Sequence, residues 1–200
     1  MESIKPLPLL ILASRSPRRR ELLARLTGNF RAVTSDFDEA PLMAASPAPE
    51  KLVLALSEGK ARSVLAWPGI PEDAVVIGGD TVVVSPDNEI FGIPKDRLDA
   101  ERMLRALSGK SHRVITGVSL LKKDALRQFS VTTQVEFYPL SPAEIRWYLD
   151  TGEPFDKAGA YGIQGRGSLL VRGICGDYCN VMGLPLSELA RQLTDFCQNS

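Results

Sequence analysis

The chain has 200 residues, 24 basic and 24 acidic side chains and 44% apolar residues, the make-up of an ordinary globular protein with room for one sizeable core or two small ones. A net charge of zero gives no overall positive field to hold a nucleic-acid backbone, so nucleic acid is not expected as a partner and any anion site must be local. The apolar run from Leu7 to Ala13 contains Pro8 and is preceded by Lys5; it falls short of the roughly 18 residues of a membrane span and of a secretory leader with its small-x-small cleavage site. It reads as a buried strand of a cytoplasmic protein with no membrane attachment.

In chain order, strands are expected at Leu9 to Ala13, Phe30 to Thr34, Ala74 to Gly78 with Thr81 to Ser85, Glu89 to Phe91, His112 to Leu121, Leu126 to Tyr138 and Ser168 to Ile174. Helices alternate with them. The first runs from Pro17 to Leu26, with Ser16 as N-cap, Pro17 at the first position and Leu22, Leu23 and Leu26 on one face. Others cover Pro49 to Leu65, Asp96 to Leu107, Pro142 to Leu149, where Ser141 and Glu144 form a capping box, and Pro185 to Phe196. No repeat, low-complexity tract or polar linker interrupts them, so a single domain over residues 1–200 is expected. The early alternation followed by a long hairpin, turning at Lys122-Lys123-Asp124, argues for an α/β fold with a mixed, twisted sheet flanked by helices.

Cys175, Cys179 and Cys197 make no disulfide framework and lack zinc-knuckle spacing, so they read as structural thiols. His112 is the only histidine, which disfavours both a cysteine–histidine nucleophile and an imidazole-rich metal site. A metal here would be a hard ion held by carboxylates.

Three segments carry groups suited to chemistry. In Ser14-Arg15-Ser16-Pro17-Arg18-Arg19 a strand passes into a helix whose free amides and dipole favour an anion, and Ser14, Ser16, Arg18 and Arg19 lie around that start. The P-loop with its terminal Gly-Lys-Ser is absent, so the arginines would supply the charge its lysine supplies; a solvated basic helix start is the plain alternative. Val75 to Thr81 is a buried strand that is expected to end in Gly78 and Gly79 and to place Asp80 at its carboxyl end, as a general base or metal ligand. Asp36, Asp38 and Glu39 follow the second strand in the same sense, so two carboxylates could share a magnesium-type ion; a surface turn before Pro41 is the alternative for Asp38 and Glu39. Glu153 to Gly165 is too glycine-dense for helix and too rich in functional groups for a connector: Lys157 can offset phosphate charge, Gln164 can read the edge of a base, and Tyr161 can stack or simply pack, packing being the plainer reading. From Gly176 to Val181 the chain reads as a turn into the last helix, with Asn180 in a structural role.

These motifs together resemble the Maf family of nucleoside triphosphate pyrophosphatases: Leu12 to Leu23 around Ser14-Arg15-Ser16-Pro17-Arg18-Arg19, Gly78-Gly79-Asp80-Thr81-Val82-Val83, Leu107-Ser108-Gly109 with His112, Thr116-Gly117-Val118, Glu153 to Gly165, and Tyr178 with Asn180 to Pro185. The likeness runs nearly end to end. It implies a Maf/ITPase-like fold with a substrate cleft beside the sheet, cleavage of a nucleoside triphosphate into monophosphate and pyrophosphate, a divalent cation of the Mg or Mn kind, and a homodimer. Carried over, Asp80 is the proton acceptor and a metal ligand, Glu39 a metal or water-site carboxylate and Lys60 a phosphate-facing cation, while Arg18, Thr81 and Gln164 match positions that set base preference. The form Asp156 to Gly165 resembles the branch acting on dTTP and UTP, not the one preferring 7-methylated GTP. A nucleotide-binding regulator of septum formation with little turnover is the rival from another class. One departure stands out: the family's Gly-Lys-Pro is Gly92-Ile93-Pro94 here, so a phosphate-contacting lysine is missing unless Lys95 replaces it. A second, Gly79 for the usual Ala, is expected mainly to loosen the strand end.

Overall fold

The computed structural model describes residues 7–45 and 48–199; Lys5 lies outside them. Among the described residues the strands are β1 (Leu10–Ala13), β2 (Phe30–Val33), β3 (Val75–Val84), β4 (Ile90–Phe91), β5 (Ser111–Lys122), β6 (Ala125–Phe137) and β7 (Val171–Cys175). The helices are α1 (Pro17–Leu26), α2 (Ala40–Ala45), α3 (Pro49–Leu65), α4 (Arg97–Leu107), α5 (Pro142–Asp150), α6 (Tyr178–Met182) and α7 (Leu186–Asn199). The strands hydrogen-bond in the order β2-β1-β3-β5-β6-β7, with β4 on β3. β1 is parallel to β2 and β3, whereas the β3–β4 and β6–β7 pairs are antiparallel: an α/β fold built on a mixed sheet flanked by helices. By contacts the chain forms two compact units, residues 1–80, 117–130 and 183–200 in one and residues 81–116 and 131–182 in the other.

In the first unit β1 is buried along its whole length, as an apolar strand paired on both sides must be. Ser16 caps α1 by accepting from the Arg19 amide, and Leu22 and Leu23 turn inward. α3 lays Leu52, Val53, Leu56, Ala61 and Val64 against the sheet, and two glycines set how close it comes. A Cβ on Gly78 would sit 1.9 Å from the Ser57 carbonyl oxygen, and one on Gly117 would sit 2.6 Å from that of Val53. Only hydrogen fits at these two points.

In the second unit Asp96 caps α4 by accepting from the Asp99 amide. The helix buries Ala100, Met103, Leu104 and Leu107 with Phe91, Phe137, Ile145 and Leu149; each such leucine withdrawn from water contributes about 2 kcal/mol. α5 has the expected capping box, Ser141 Oγ accepting from the Glu144 amide and the Glu144 carboxylate from the Ser141 amide. His112 and Tyr161 meet at 2.7 Å and pack edge-on with Phe137. Burial holds the imidazole down at about 4, so it is neutral near pH 7.

Several local expectations are corrected. The two strand pieces around Gly78-Gly79 are one strand, so Asp80 lies inside β3 and not at its end. Gly78 is there for close approach, not for termination. What does end here is the neighbour, since Ala13, the last residue of β1, pairs with Gly78. The segment Glu153 to Gly165 contains two short 3₁₀ turns, Glu153–Asp156 and Ala158–Ala160, the second kinked at Gly159, which takes a left-handed φ of 71°. The strand expected at Ser168 to Ile174 begins at Val171, after a 3₁₀ stretch over Gly165–Leu170. Part of the turn expected from Gly176 is α6, and Asp38 and Glu39 lead into α2, with Asp38 Oδ1 accepting from the Ala40 amide.

Candidate active site

The first unit gathers most of the residues singled out in the sequence. Where β1 passes into α1, Ser14 Oγ accepts from the Ser16 amide at 3.2 Å and from Arg19 Nη1 at 3.4 Å, while Ser16 Oγ accepts from the Arg19 amide. Arg19 Nε donates to the Gly183 carbonyl at 2.8 Å, so its guanidinium is held in place from the far end of the chain. It lies along Gly79, 3.4 Å from where a Cβ would stand. Arg18 is half-buried on the first turn of the same helix.

On α3, Lys60 reaches the carboxylates. Its Nζ is 2.6 Å from Asp80 Oδ1 and 3.0 Å from Glu39 Oε1. Asp80 is only 8% exposed. Burial pushes its carboxyl above the ordinary aspartate range; Lys60 and Arg19 pull it back, and Glu39 adds to the rise. Arg19 is drawn below the usual arginine value by its own burial, against the attraction of Asp80. Ser14, Ser16, Arg19, Glu39, Lys60 and Asp80 thus form one linked set of hydroxyls, cations and carboxylates.

Among the described residues no three His, Cys, Asp or Glu side chains cluster as a metal cage. Glu39 and Asp80 nevertheless share one ammonium nitrogen, so a single compact cation can be reached by both. That donor set fits a magnesium-type ion, which takes one or two carboxylates and completes its shell with water and substrate phosphates.

The remaining candidates belong to the second unit. Thr81 is the one position of β3 that is not buried, and its Oγ1 is 2.9 Å from Thr116 Oγ1. Gln164 is half-buried just ahead of the 3₁₀ stretch at 165. The Lys157 ammonium donates to the Glu153 carbonyl at 2.6 Å and pairs with Asp156, so it is engaged within its own loop. Lys95 is exposed before α4, its amide donating to Asp99 Oδ2, and Ile93 is 50% exposed. Sequence reasoning missed the part played by Gly183, whose carbonyl receives Arg19, and by Thr116. The available signal for Thr116 was a hydroxyl within the apolar run Val114 to Val118 of β5.

Known proteins resemble this chain along nearly its whole length. The family profile described as Maf-like protein matches residues 9–196. A dTTP/UTP pyrophosphatase of Symbiobacterium thermophilum is 50% identical over 94% of this chain and 93% of its own length. Proteins of the same name from Bacillus velezensis and Thermosipho africanus are each 49% identical, over 94% and 90% of this chain and 96% and 89% of theirs. The solved Ham1 protein of Staphylococcus aureus is similar at a TM-score of 0.44 and 13% identity, over 64% of this chain and 71% of that one. The profile spans almost all of the described chain, including every residue of the site: the chain belongs to the Maf family.

Proposed function

We propose that this protein is a nucleoside triphosphate pyrophosphatase that hydrolyses dTTP and UTP to the monophosphate and pyrophosphate, with residues 1–200 acting as one catalytic domain. The single observation that carries the reading is the buried Asp80 carboxylate held by Lys60 beside Glu39, in a chain about half identical to proteins named for that activity. In the step itself a water oxygen bonds to phosphorus at the α,β anhydride, the bridging P–O bond breaks, pyrophosphate departs, and the proton of the water passes to Asp80. Lys60 neutralises both carboxylates before substrate arrives and then serves the phosphates. The start of α1, with Ser14, Ser16, Arg18 and Arg19, offers donors and positive charge to the polyphosphate tail. The family resemblance gives Arg18, Thr81 and Gln164 the choice of base, and Lys95 and Lys157 are the further cations assigned to the substrate's negative charge.

A divalent ion of the Mg or Mn kind held by Glu39 and Asp80 would lower the pKa of its bound water and offset phosphate charge. The same reading takes the protein as a cytoplasmic homodimer. No described helix is long and apolar enough to cross a membrane.

Pyrophosphate release from UTP, dTTP, CTP, GTP and 7-methyl-GTP, with Mg²⁺ or Mn²⁺, tests the reading. UTP and dTTP are expected to lead the series, and Asp80→Asn is expected to lower kcat by about 10²- to 10⁴-fold, the usual worth of a positioned base. Nucleotide binding without release would instead support the regulator, and a lead for 7-methyl-GTP would move the protein to the other branch.

A further inference from the structure

We propose that Phe37 is a positioning residue: by seating its ring on Gly59 of α3 it fixes the segment 35–39 so that Glu39 meets the cation site shared with Asp80. The proposal rests on the reading above, in which Glu39 and Asp80 hold the divalent ion.

The segment that carries Glu39 is anchored by alternate side chains. Val33, Ser35, Phe37 and Glu39 are half-buried, whereas Thr34, Asp36, Asp38 and Ala40 are exposed, the period of two that an extended chain presents to a surface. What they meet is one face of α3. Ser63 follows Gly59 by four residues and Lys60 by three, the spacing of neighbours on a helix surface. Ser35 Oγ is 2.8 Å from Ser63 Oγ, the Phe37 ring lies on Gly59, and Glu39 Oε1 is 3.0 Å from Lys60 Nζ. All of these residues belong to the first unit.

Two of the three contacts involve no net charge, so they hold the segment whether or not an ion is bound. Ser63 Oγ donates to the Lys60 carbonyl at 3.1 Å, and a hydroxyl has one proton to give, so in the serine pair Ser35 is the donor. Ser35 Oγ in turn accepts from the Phe37 amide at 3.1 Å. The ring fits a gap that only glycine leaves open: a Cβ on residue 59 would stand 2.5 and 2.6 Å from Phe37 Cε2 and Cε1, and nearer still to Cζ.

Gly59 lies inside α3 and takes no left-handed φ, a place where alanine would favour the helix by about 1 kcal/mol. The ring it admits accounts for its presence. Downstream of Glu39 there is little else to hold the carboxylate, since α2 begins at Ala40 and has no buried residue. The placement of Glu39 therefore depends on the anchor two residues before it.

The test is Mn²⁺ affinity, read from the free-ion EPR signal in the presence of the non-hydrolysable α,β-methylene analogue of UTP and corrected by the same titration without protein. Wild type, Glu39→Gln, Phe37→Ala, Gly59→Ala and Phe37→Ala/Glu39→Gln are compared at a temperature where thermal melts show each to be folded. Phe37→Ala empties the gap and Gly59→Ala fills it from the other side; each is expected to weaken Mn²⁺ binding about 10-fold, as for other groups that orient a metal ligand. The double variant is expected to bind no more weakly than Glu39→Gln, because a displaced carboxylate and an absent one are equivalent, whereas a general loosening of the fold would add its own loss. In UTP turnover the Mn²⁺ concentration for half-maximal rate should rise by a similar factor, with kcat at saturating Mn²⁺ changing less. If Phe37→Ala does not fold, Gly59→Ala decides, since its methyl group favours the helix. Unchanged affinity in either folded single variant at 37 or 59, or additive losses in the double variant, would overturn the anchor alone. A wild type that takes up no Mn²⁺, or Glu39→Gln with wild-type affinity, would instead bring down the reading of Glu39 beneath it.

Discussion

The Lys60 ammonium sits 2.6 Å from Asp80 Oδ1, in a place where both side chains are about seven-eighths covered. Such a pair is held together less by attraction than by the cost of leaving either charge alone in a poorly solvated place. Glu39, at 3.0 Å from the same nitrogen but with 44% of its side chain exposed, is the looser partner. The arrangement sets a buried carboxyl group directly against a cation.

Lys60→Met retains the aliphatic stem and removes the charge, so Asp80 loses its nearest counter-ion. Stability near neutral pH is expected to fall by about 3 kcal/mol, read from urea unfolding midpoints at constant m-value. The double variant Lys60→Met/Asp80→Asn should lose clearly less than the sum of the two single losses, because no unpaired charge remains. Additive losses would show that the pair is not coupled.

How far this could be read in advance depends on where the information resides. α1 and α5 are legible because Ser16 and Ser141 cap them in ways set by residues within one helical turn. Asp80 and Lys60 were legible as types, through their motifs. That Gly78 and Gly79 run through the middle of a strand was not, since the cause is α3 lying against Gly78 and Arg19 against Gly79, contacts made by residues far away in the chain. The short α2 and the 3₁₀ turns after Gly152 lack the length over which apolar spacing becomes a pattern.

The two adjacent glycines of β3 should respond in opposite ways. Gly78→Ala drives a methyl to 1.9 Å from the Ser57 carbonyl oxygen, and either α3 or the strand must shift. A loss of about 2 kcal/mol or more is expected, as for overpacked cores. Gly79→Ala meets Arg19 at an ordinary 3.4 Å and removes backbone freedom from the unfolded chain, so it should be neutral or stabilising by up to about 1 kcal/mol. Thermal melts of the two variants side by side decide it.

Lys95 is the cation nearest in sequence to Ile93, which stands where the family pattern has lysine. Both side chains are on the surface, so substitutions there should leave stability within about 0.5 kcal/mol and report on rate alone. Lys95→Ala is expected to lower kcat for UTP about 10-fold or more, the cost of losing one charge stabiliser, and Ile93→Lys should restore that rate in the Lys95→Ala background. Unchanged turnover in Lys95→Ala would remove lysine replacement from the account.

His112 predicts a pH dependence of stability separate from catalysis. Its neutral ring meets the Tyr161 hydroxyl and packs T-shaped with Phe137, and burial lowers it from 6.5 to about 4. The unfolded chain therefore takes up a proton at higher pH than the folded one, so stability is complete above about pH 6.5 and declines as the pH falls toward 4. Between pH 8 and pH 4.5 this one group should remove about 2.5 kcal/mol. His112→Gln keeps a polar partner for Tyr161 without a titrating ring, and its unfolding free energy should fall by that much less over the same interval. Parallel pH profiles for wild type and His112→Gln would show that the ring takes up its proton equally in both states, and that its burial in the folded protein carries no electrostatic cost.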